Sequence, residues 1–171
     1  MRVIGLHGVT SMKEAWMDGP EHSFMVINSS ELDDGECFWC KDTIPWDTAL
    51  KFPDDLFSYF FDSFEWVEVE NPDAGNKKIP FGHNRWSSSV VRGDGAMMML
   101  KIISSWKALF VNAPMKFSIT GSYICDQDDD GHYEEIKIYK QDLIDTLSEL
   151  ESMLNVIIES NGEKCLYCSG I

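Results

Sequence analysis

Hydrophobic residues return at regular intervals along the chain, and the longest regular stretch predicts a helix over residues 141–160. In the segment QDLIDTLSELESMLNVIIES, leucine and isoleucine recur every three or four residues, which places them on one face of a helix. These residues are Leu143, Leu147, Leu150, Leu154 and Ile157. Asn161 and Gly162 follow directly, a pair typical of a helix C-terminus.

The segment PDDLFSYFFDSF predicts a second, shorter helix. Pro53 suits the first helical position, and Asp54 and Asp55 complement the positive end of the helix dipole. One face of this helix is apolar, and it consists of Leu56, Phe57, Phe60, Phe61 and Phe64.

The segment GDGAMMMLKIISSWKALFVNAP predicts a third helix. We expect Asp94 to cap its N-terminus, and Pro114 lies beyond its end. The segment is apolar nearly all round, which predicts a deeply buried helix.

Seven other segments have the short apolar or alternating pattern of β-strands. They are RVIGLHGV, SFMVIN, ECFWCKD, EWVEVE, MKFSITGSYI, HYEEIKIY and KCLYCSGI. Strands interspersed with helices, with at least one hairpin, favour an α+β fold with a mainly antiparallel sheet and about three helices. We expect a single domain over residues 1–171, with the C-terminal helix packed on one face of the sheet.

The net charge of the chain limits the kinds of molecule that it is expected to bind. The 29 acidic residues outnumber the 14 basic ones, which gives a net charge of −15. The acids are concentrated: residues 52–76 hold seven and no lysine or arginine. Such a surface repels nucleic acid and anionic membranes, and it attracts a basic protein. A second interpretation, that the charge only keeps the protein soluble, stays open.

The sequence has no recognisable targeting signal. No segment has the apolar core of a signal peptide or the length of a membrane span, and the five cysteines, an odd number, fit a reducing compartment. We therefore expect a cytoplasmic protein.

An acidic stretch, CDQDDDGHYEEIK, begins like a calcium-binding loop. Asp126, Asp128, Asp130 and Gly131 match positions 1, 3, 5 and 6 of an EF-hand. The twelfth position needs a bidentate glutamate, and Lys137 stands there instead. Strand patterns flank the stretch on both sides, so we interpret it as the tip of a β-hairpin.

Two C-x-x-C pairs predict a structural zinc site. Cys37, Cys40, Cys165 and Cys168 supply the four thiolates that such a site uses. More than 120 residues separate the pairs, and both lie in strand patterns where cysteine also serves as a small hydrophobic residue. Both interpretations stay open, and we expect no other cofactor.

Catalytic motifs are lacking. No H-E-x-x-H, G-x-S-x-G, P-loop or dinucleotide-binding pattern is present. The loop FGHNRW has mixed polar chemistry, and an enzyme centred on His7, His83 and Arg85 is an alternative. We expect a protein without enzymatic activity.

The C-terminal third of the chain resembles bacterial immunity proteins of polymorphic and contact-dependent toxin systems. The resemblance lies in KFSITGSYICDQDDDGHYEEIKIYKQDLIDTLSELESMLN and in the final strand ending SGI, in the order strand, acidic turn, strand, long helix and short strand. It implies a cytoplasmic antidote that binds a cognate toxin domain. Because many such toxins are nucleases with basic clefts, an acidic inhibitor suits them electrostatically.

The acidic strips are the predicted contact surface for this basic partner. The carboxylates concerned are Asp54, Asp55, Asp62, Glu65, Glu68, Glu70, Asp126, Asp128, Asp129, Asp130 and Glu134. A phage-type counter-defence inhibitor and a zinc-stabilised structural or adaptor module are the alternatives.

Overall fold

The structure is a computed structural model that describes residues 20–32, 44, 46–72, 77–79, 82–83, 85–125 and 131–170. Within these ranges the strands are β1 (Glu21–Asn28), β2 (Leu50–Pro53), β3 (Val69–Asn71), β4 (Lys77–Ile79), β5 (Ser88–Val91), β6 (Lys116–Ile124), β7 (His132–Tyr139) and β8 (Lys164–Ser169). The helices are α1 (Asp54–Phe64), α2 (Gly93–Phe110) and α3 (Lys140–Glu159), with short 3-10 turns at Ser29–Glu31 and Trp46–Thr48.

Six strands form one antiparallel sheet in the order β2-β1-β8-β5-β3-β4. β8 lies inside the sheet, where Cys168 is opposite Phe24 of β1 on one side and Ser89 of β5 on the other. β6 and β7 form a separate antiparallel hairpin. The predicted α+β fold with a mainly antiparallel sheet and three helices is confirmed.

The helices cover one face of the six-stranded sheet. α3 packs on β8, β1 and β2, α2 packs on α3, and α1 contacts β2 and the hairpin strand β6. The predicted position of the C-terminal helix is therefore confirmed. All five residues of its predicted apolar face are buried, and each such side chain removed from water contributes about 1.5–3 kcal/mol to folding.

Alternation along the strands supplies two apolar clusters, one on each face of the sheet. Phe24, Leu166 and Cys168 belong to the large cluster beneath the helices. Cys165 and Tyr167 point the opposite way, into a smaller cluster with Met25, Ile27 and Val90 that Leu32 and Ile44 help to cover. Successive residues of β8 thus stabilise opposite faces, as the two-residue period of a strand requires.

Helix α2 differs from the expectation in two respects. It begins at Gly93 with Arg92 as its N-cap, so Asp94 lies in the first turn and the predicted Asp94 cap is wrong. The expected burial all round is also wrong: Met99 and Ile103 are buried, whereas Met98 and Leu109 are 42% and 59% exposed. The helix buries one face against α3 and α1, and Met97, Met98 and Leu109 are exposed on its other side.

Two of the predicted strands, RVIGLHGV and ECFWCKD, lie outside the described residues. The predicted strand EWVEVE is shorter than expected, because β3 begins only at Val69. β6 and β7 pair as the predicted hairpin, and the acidic residues 126–130 between them in sequence are also outside the described ranges.

Candidate interaction surface

A buried ion-pair cluster fixes the start of α1. Asp54 is the first residue of the helix, and its carboxylate accepts hydrogen bonds from Arg85 Nη2 (2.6 Å) and Arg85 Nε (3.2 Å). His22 Nε2 lies 2.9 Å from the same carboxylate, and its ring stacks on Phe57 at 3.7 Å. The cluster joins β1, α1 and the segment before β5, so its first role is to hold these elements together.

The pKa values in this cluster follow from burial and from the opposite charges. Burial raises the pKa of Asp54, but the hydrogen bonds from Arg85 and His22 outweigh it and leave that pKa below its ordinary value. Burial lowers the pKa of His22 more than its contact with Asp54 raises it. Asp54 is therefore ionised and His22 is neutral near pH 7.

His83 is a core residue beside this cluster. It is 3% exposed, and its ring packs against Phe24, Phe57 and Phe64. Burial lowers its pKa to about 3, and neither ring nitrogen has a hydrogen-bond partner in the described part of the chain. Of the alternative enzymatic centre, His7 lies outside the described residues, His83 is buried and Arg85 is paired with Asp54.

Three of the predicted partner-binding carboxylates are paired within the protein. Asp54 belongs to the buried cluster, and Glu68 accepts a hydrogen bond from Lys78 at 2.6 Å. Glu70 lies 3.2 Å from Arg92, a charge pair without the alignment of a hydrogen bond. Internal partners already compensate these three charges. Asp54 is therefore not part of the candidate surface, and Glu68 and Glu70 can contribute only little to it.

Asp55, Asp62 and Glu65 have the opposite surroundings. All three are exposed, and none forms an ion pair with any residue that the structure describes. Asp55 and Asp62 share one face of α1 with Tyr59, and Trp66 follows on the turn after the helix at the same spacing of three to four residues. Tyr59 is 38% exposed and Trp66 is 66% exposed. We call Asp55, Tyr59, Asp62 and Trp66 the α1 stripe.

An apolar groove adjoins the Trp66 end of the α1 stripe. It has a volume of about 370 Å³ between the end of α1 and the outer face of α2. Its lining residues are Ser63, Trp66, Met98, Lys101, Ile102, Ser105, Trp106 and Leu109. The Trp106 indole N–H donates to Ser63 Oγ at 3.1 Å, which fixes the floor of the groove.

The hairpin adjoins the other end of the α1 stripe. Asp55 and Tyr59 share a cleft with Thr120 and Ser122 of β6. Farther along the hairpin, Tyr123 and Tyr133 are exposed and contact each other edge to face at 5.1 Å between ring centres. The α1 stripe therefore meets the hairpin at this cleft, and the Tyr123–Tyr133 pair is an exposed aromatic feature of the same hairpin.

The hairpin carries the rest of the predicted contact residues. Glu134 lies on β7 and is half-buried. Asp126, Asp128, Asp129 and Asp130 fall outside the described residues, so their place in a contact surface stays a prediction.

Cys165 and Cys168, the two members of the predicted zinc site that the structure describes, are not arranged as a metal centre. Cys165 and Cys168 lie on opposite faces of the sheet, and burial raises the pKa of the Cys165 thiol to about 11 and that of Cys168 further. Zinc binds thiolates, so both effects disfavour this pair as ligands of one ion. Cys37 and Cys40 are not among the described residues, where no group of three or more His, Cys, Asp or Glu side chains is suited to hold a metal ion.

The aromatic members of the surface were missed because only the acids were selected from the sequence. The signal was present: residues 55, 59, 62 and 66 follow helical spacing on the face opposite Leu56, Phe60 and Phe64. An exposed tyrosine and tryptophan on such a face indicate a contact surface better than charge alone, because aromatic side chains are enriched at the centres of interfaces.

Comparisons with protein-family models, with curated proteins and with solved structures found no match to this chain. None of the helices in the described ranges combines the length and the apolar composition needed to cross a bilayer. The geometry of the α1 stripe is therefore the main guide to function.

Proposed function

We propose that this chain is a binding protein that captures a basic protein, in the manner of an immunity protein that neutralises its cognate toxin. The observation that carries the proposal is the α1 stripe. In it, exposed carboxylates with no ion pair to any described residue alternate with two exposed aromatic side chains. The acidic residues would meet basic groups of the partner, and Tyr59 and Trp66 would supply apolar contact area.

The aromatic and the charged residues of this surface should contribute to different properties of the complex. A few buried aromatic side chains provide most of the affinity in protein complexes, and the surrounding charges mainly set the association rate and the choice of partner. Trp66 is the strongest anchor candidate because it is large, exposed and next to an apolar groove. The net charge of −15 would speed the encounter with a basic protein at low salt.

Neutralisation requires only stoichiometric binding. A basic nuclease or similar toxin domain loses activity when an acidic surface covers its substrate cleft, and the inhibitor needs no catalytic group for this. The buried positions of His22 and His83 are compatible with such a role, because both side chains stabilise the core beneath α1.

The test compares wild-type chain with two variants that each remove one negative charge. The double variant Asp62→Asn/Trp66→Ala alters the α1 stripe, and Glu149→Gln alters an exposed residue of α3 away from it. Proteins that bind the wild type and the Glu149→Gln control, but not the double variant, are identified by mass spectrometry. The gene of each candidate is then expressed in tester cells with each form of the chain.

We expect the captured protein to be basic and to arrest growth, and we expect the wild type and the control to restore it. The double variant should raise the Kd by about 100-fold, since one central tryptophan often accounts for that factor. The association rate constant should fall at least tenfold between 20 mM and 500 mM NaCl. A partner that is acidic, or that binds all three forms equally, would overturn the proposal.

A further inference from the structure

A small polar cleft separates α1 from the hairpin. It has a volume of about 200 Å³ and is lined by Asp55, Ser58, Tyr59, Thr120, Gly121 and Ser122. The lining therefore combines one carboxylate with four hydroxyl groups. Small-molecule sites usually have volumes of about 300–1,000 Å³, so this cleft suits a single side chain better than a cofactor.

The hairpin is irregular where it lines the cleft. Thr120 pairs with Glu135 and Tyr123 pairs with Tyr133, so β6 has one more residue than β7 in this interval and forms a β-bulge. A Cβ on Gly121 would lie 2.9 Å from the Glu134 Cβ and from the Ile136 Cδ1, so the bulge requires glycine. Bulges often lie beside binding sites, because they change the direction of the adjacent side chains.

Two groups in the cleft have unused capacity for polar contacts. Ser58 Oγ is buried and has no hydrogen-bond partner among the described residues, and a buried hydroxyl in that state costs free energy. The Asp55 carboxylate has no ion-pair partner within the same part of the chain. A cation with several N–H donors would satisfy both groups.

We propose that this cleft receives an arginine side chain of the basic partner. The guanidinium group is planar, carries five N–H donors and no acceptor, and pairs with a carboxylate through two parallel hydrogen bonds. Asp55 forms that pair, and the hydroxyl oxygens of Ser58, Thr120 and Ser122 are placed to accept the remaining hydrogen bonds. The assignment rests on the proposed function, since it names the group by which the partner is recognised.

The test uses the isolated chain and a small probe, so that it does not depend on the identity of the partner. N-acetyl-L-arginine methylamide is added to the ¹⁵N-labelled protein at constant pH and ionic strength, and amide shifts are followed by NMR. The citrulline analogue is the neutral control of the same shape, and the lysine analogue carries the same charge without the planar fork. Asp55→Asn and Ser58→Ala alter the cleft, and Glu149→Gln is the control, because it removes the same charge from an exposed residue of α3.

We expect saturable shifts at the amides of residues 58, 59, 121 and 122 with arginine, at a Kd on the order of 10 mM. Citrulline should give no saturation, and lysine should bind at least threefold more weakly. Asp55→Asn should abolish the effect and Ser58→Ala should weaken it, with both spectra otherwise native, whereas Glu149→Gln should bind arginine as the wild type does.

Equal shifts with citrulline, tighter binding of lysine, or equal losses in Asp55→Asn and Glu149→Gln would overturn the arginine assignment. The two proposals fail separately. A basic partner that depends on Asp62 and Trp66, together with no arginine binding in the cleft, would remove this inference and leave the proposed function intact. Arginine binding in the cleft without a basic partner would remove the proposed function and leave only the affinity of the cleft for a guanidinium group.

Discussion

Asp54 and Asp55 are neighbours in the first turn of α1, and their surroundings are opposite. Asp54 is largely buried and pairs with Arg85 and His22, which come from distant parts of the chain. Asp55 is exposed and lines a cleft, with no ion pair to a residue of the described ranges. Two identical side chains thus have different surroundings, because Asp54 contacts an arginine and a histidine and Asp55 contacts neither.

The same contrast extends along the helix. The inner face of α1 belongs to the large core cluster, where Phe57 contacts His22 and Phe64. On the outer face, Asp55, Asp62 and Trp66 are exposed, and substituting them should have little effect on the core. Tyr59 is the exception in the α1 stripe, because its ring also contacts Trp106 and Phe110. Stability and the proposed binding function therefore depend on different residues of one helix, so substitutions can separate them.

The largest expected effect is the loss of the Asp54 carboxylate. Asp54→Ala leaves Arg85 and His22 without their shared partner, and breaking a largely buried ion pair from one side should lower the free energy of unfolding by about 3 kcal/mol. Urea denaturation followed by tryptophan fluorescence measures this change.

Asp55→Ala is the matched comparison, and it should change the free energy of unfolding by less than about 0.5 kcal/mol. Similar losses in the two variants would break the distinction between a structural and a free carboxylate on α1.

The second-largest expected effect is a loss of folding stability at acidic pH. His83 is neutral in the folded protein because burial lowers its pKa to about 3, while the unfolded chain protonates near the ordinary value of 6.5. The unfolded state therefore binds more protons between these values, and stability falls as the pH falls through this window. From pH 6.5 to pH 5 the loss from His83 should be about 2 kcal/mol.

His22, whose pKa is also lowered, adds to this loss in the same direction. Asp54 acts in a lower window, since its folded pKa lies below the ordinary 3.8 and its contribution disappears only as the pH falls below that value. In His83→Leu the slope between pH 6.5 and pH 5 should be shallower than in the wild type. An unchanged slope would show that His83 does not remain neutral in the folded core.

The smallest expected effect tests whether the contact distance of an ion pair or its burial determines how much the pair stabilises the fold. The Lys78–Glu68 pair has a contact distance of 2.6 Å, equal to that of Arg85–Asp54, yet both of its side chains are largely exposed. Solvent screens exposed pairs strongly, so Lys78→Ala should leave the urea midpoint unchanged within error. A clear decrease would mean that short contacts stabilise this protein regardless of exposure.

The helices could be predicted from the sequence because each has a strong periodic face. Leu143, Leu147 and Leu150 are all buried, as their spacing indicates. β2 and β5 were missed, since LKFP and SSVV are short and contain residues common in turns. Ser88 shows why: its hydroxyl is buried and lies 2.6 Å from the Tyr167 hydroxyl, a partner that is adjacent only after the sheet has formed.

The candidate site could be predicted only in part for the same physical reason. Charge density indicated the segment that carries the candidate surface, but it did not distinguish Asp54 from Asp55, because the Arg85 partner lies 31 residues away. The cleft could not be predicted from the sequence either, because it forms only where α1 packs against the bulge in β6. Local sequence patterns predict the helices and strands. Which charged side chains have an ion-pair partner depends on contacts between elements that are distant in sequence.

The position of β8 has a consequence for how the protein folds. Phe24 and Cys168 lie opposite each other inside the sheet, although nearly the whole described chain separates them. During synthesis β1 emerges long before β8, and β2 covers only one of its edges in that interval. Folding should therefore be slow, as in other topologies with distant strand pairs, with an unpaired apolar edge exposed meanwhile. The strong negative charge has a second benefit at this stage, because it keeps incomplete chains apart from one another.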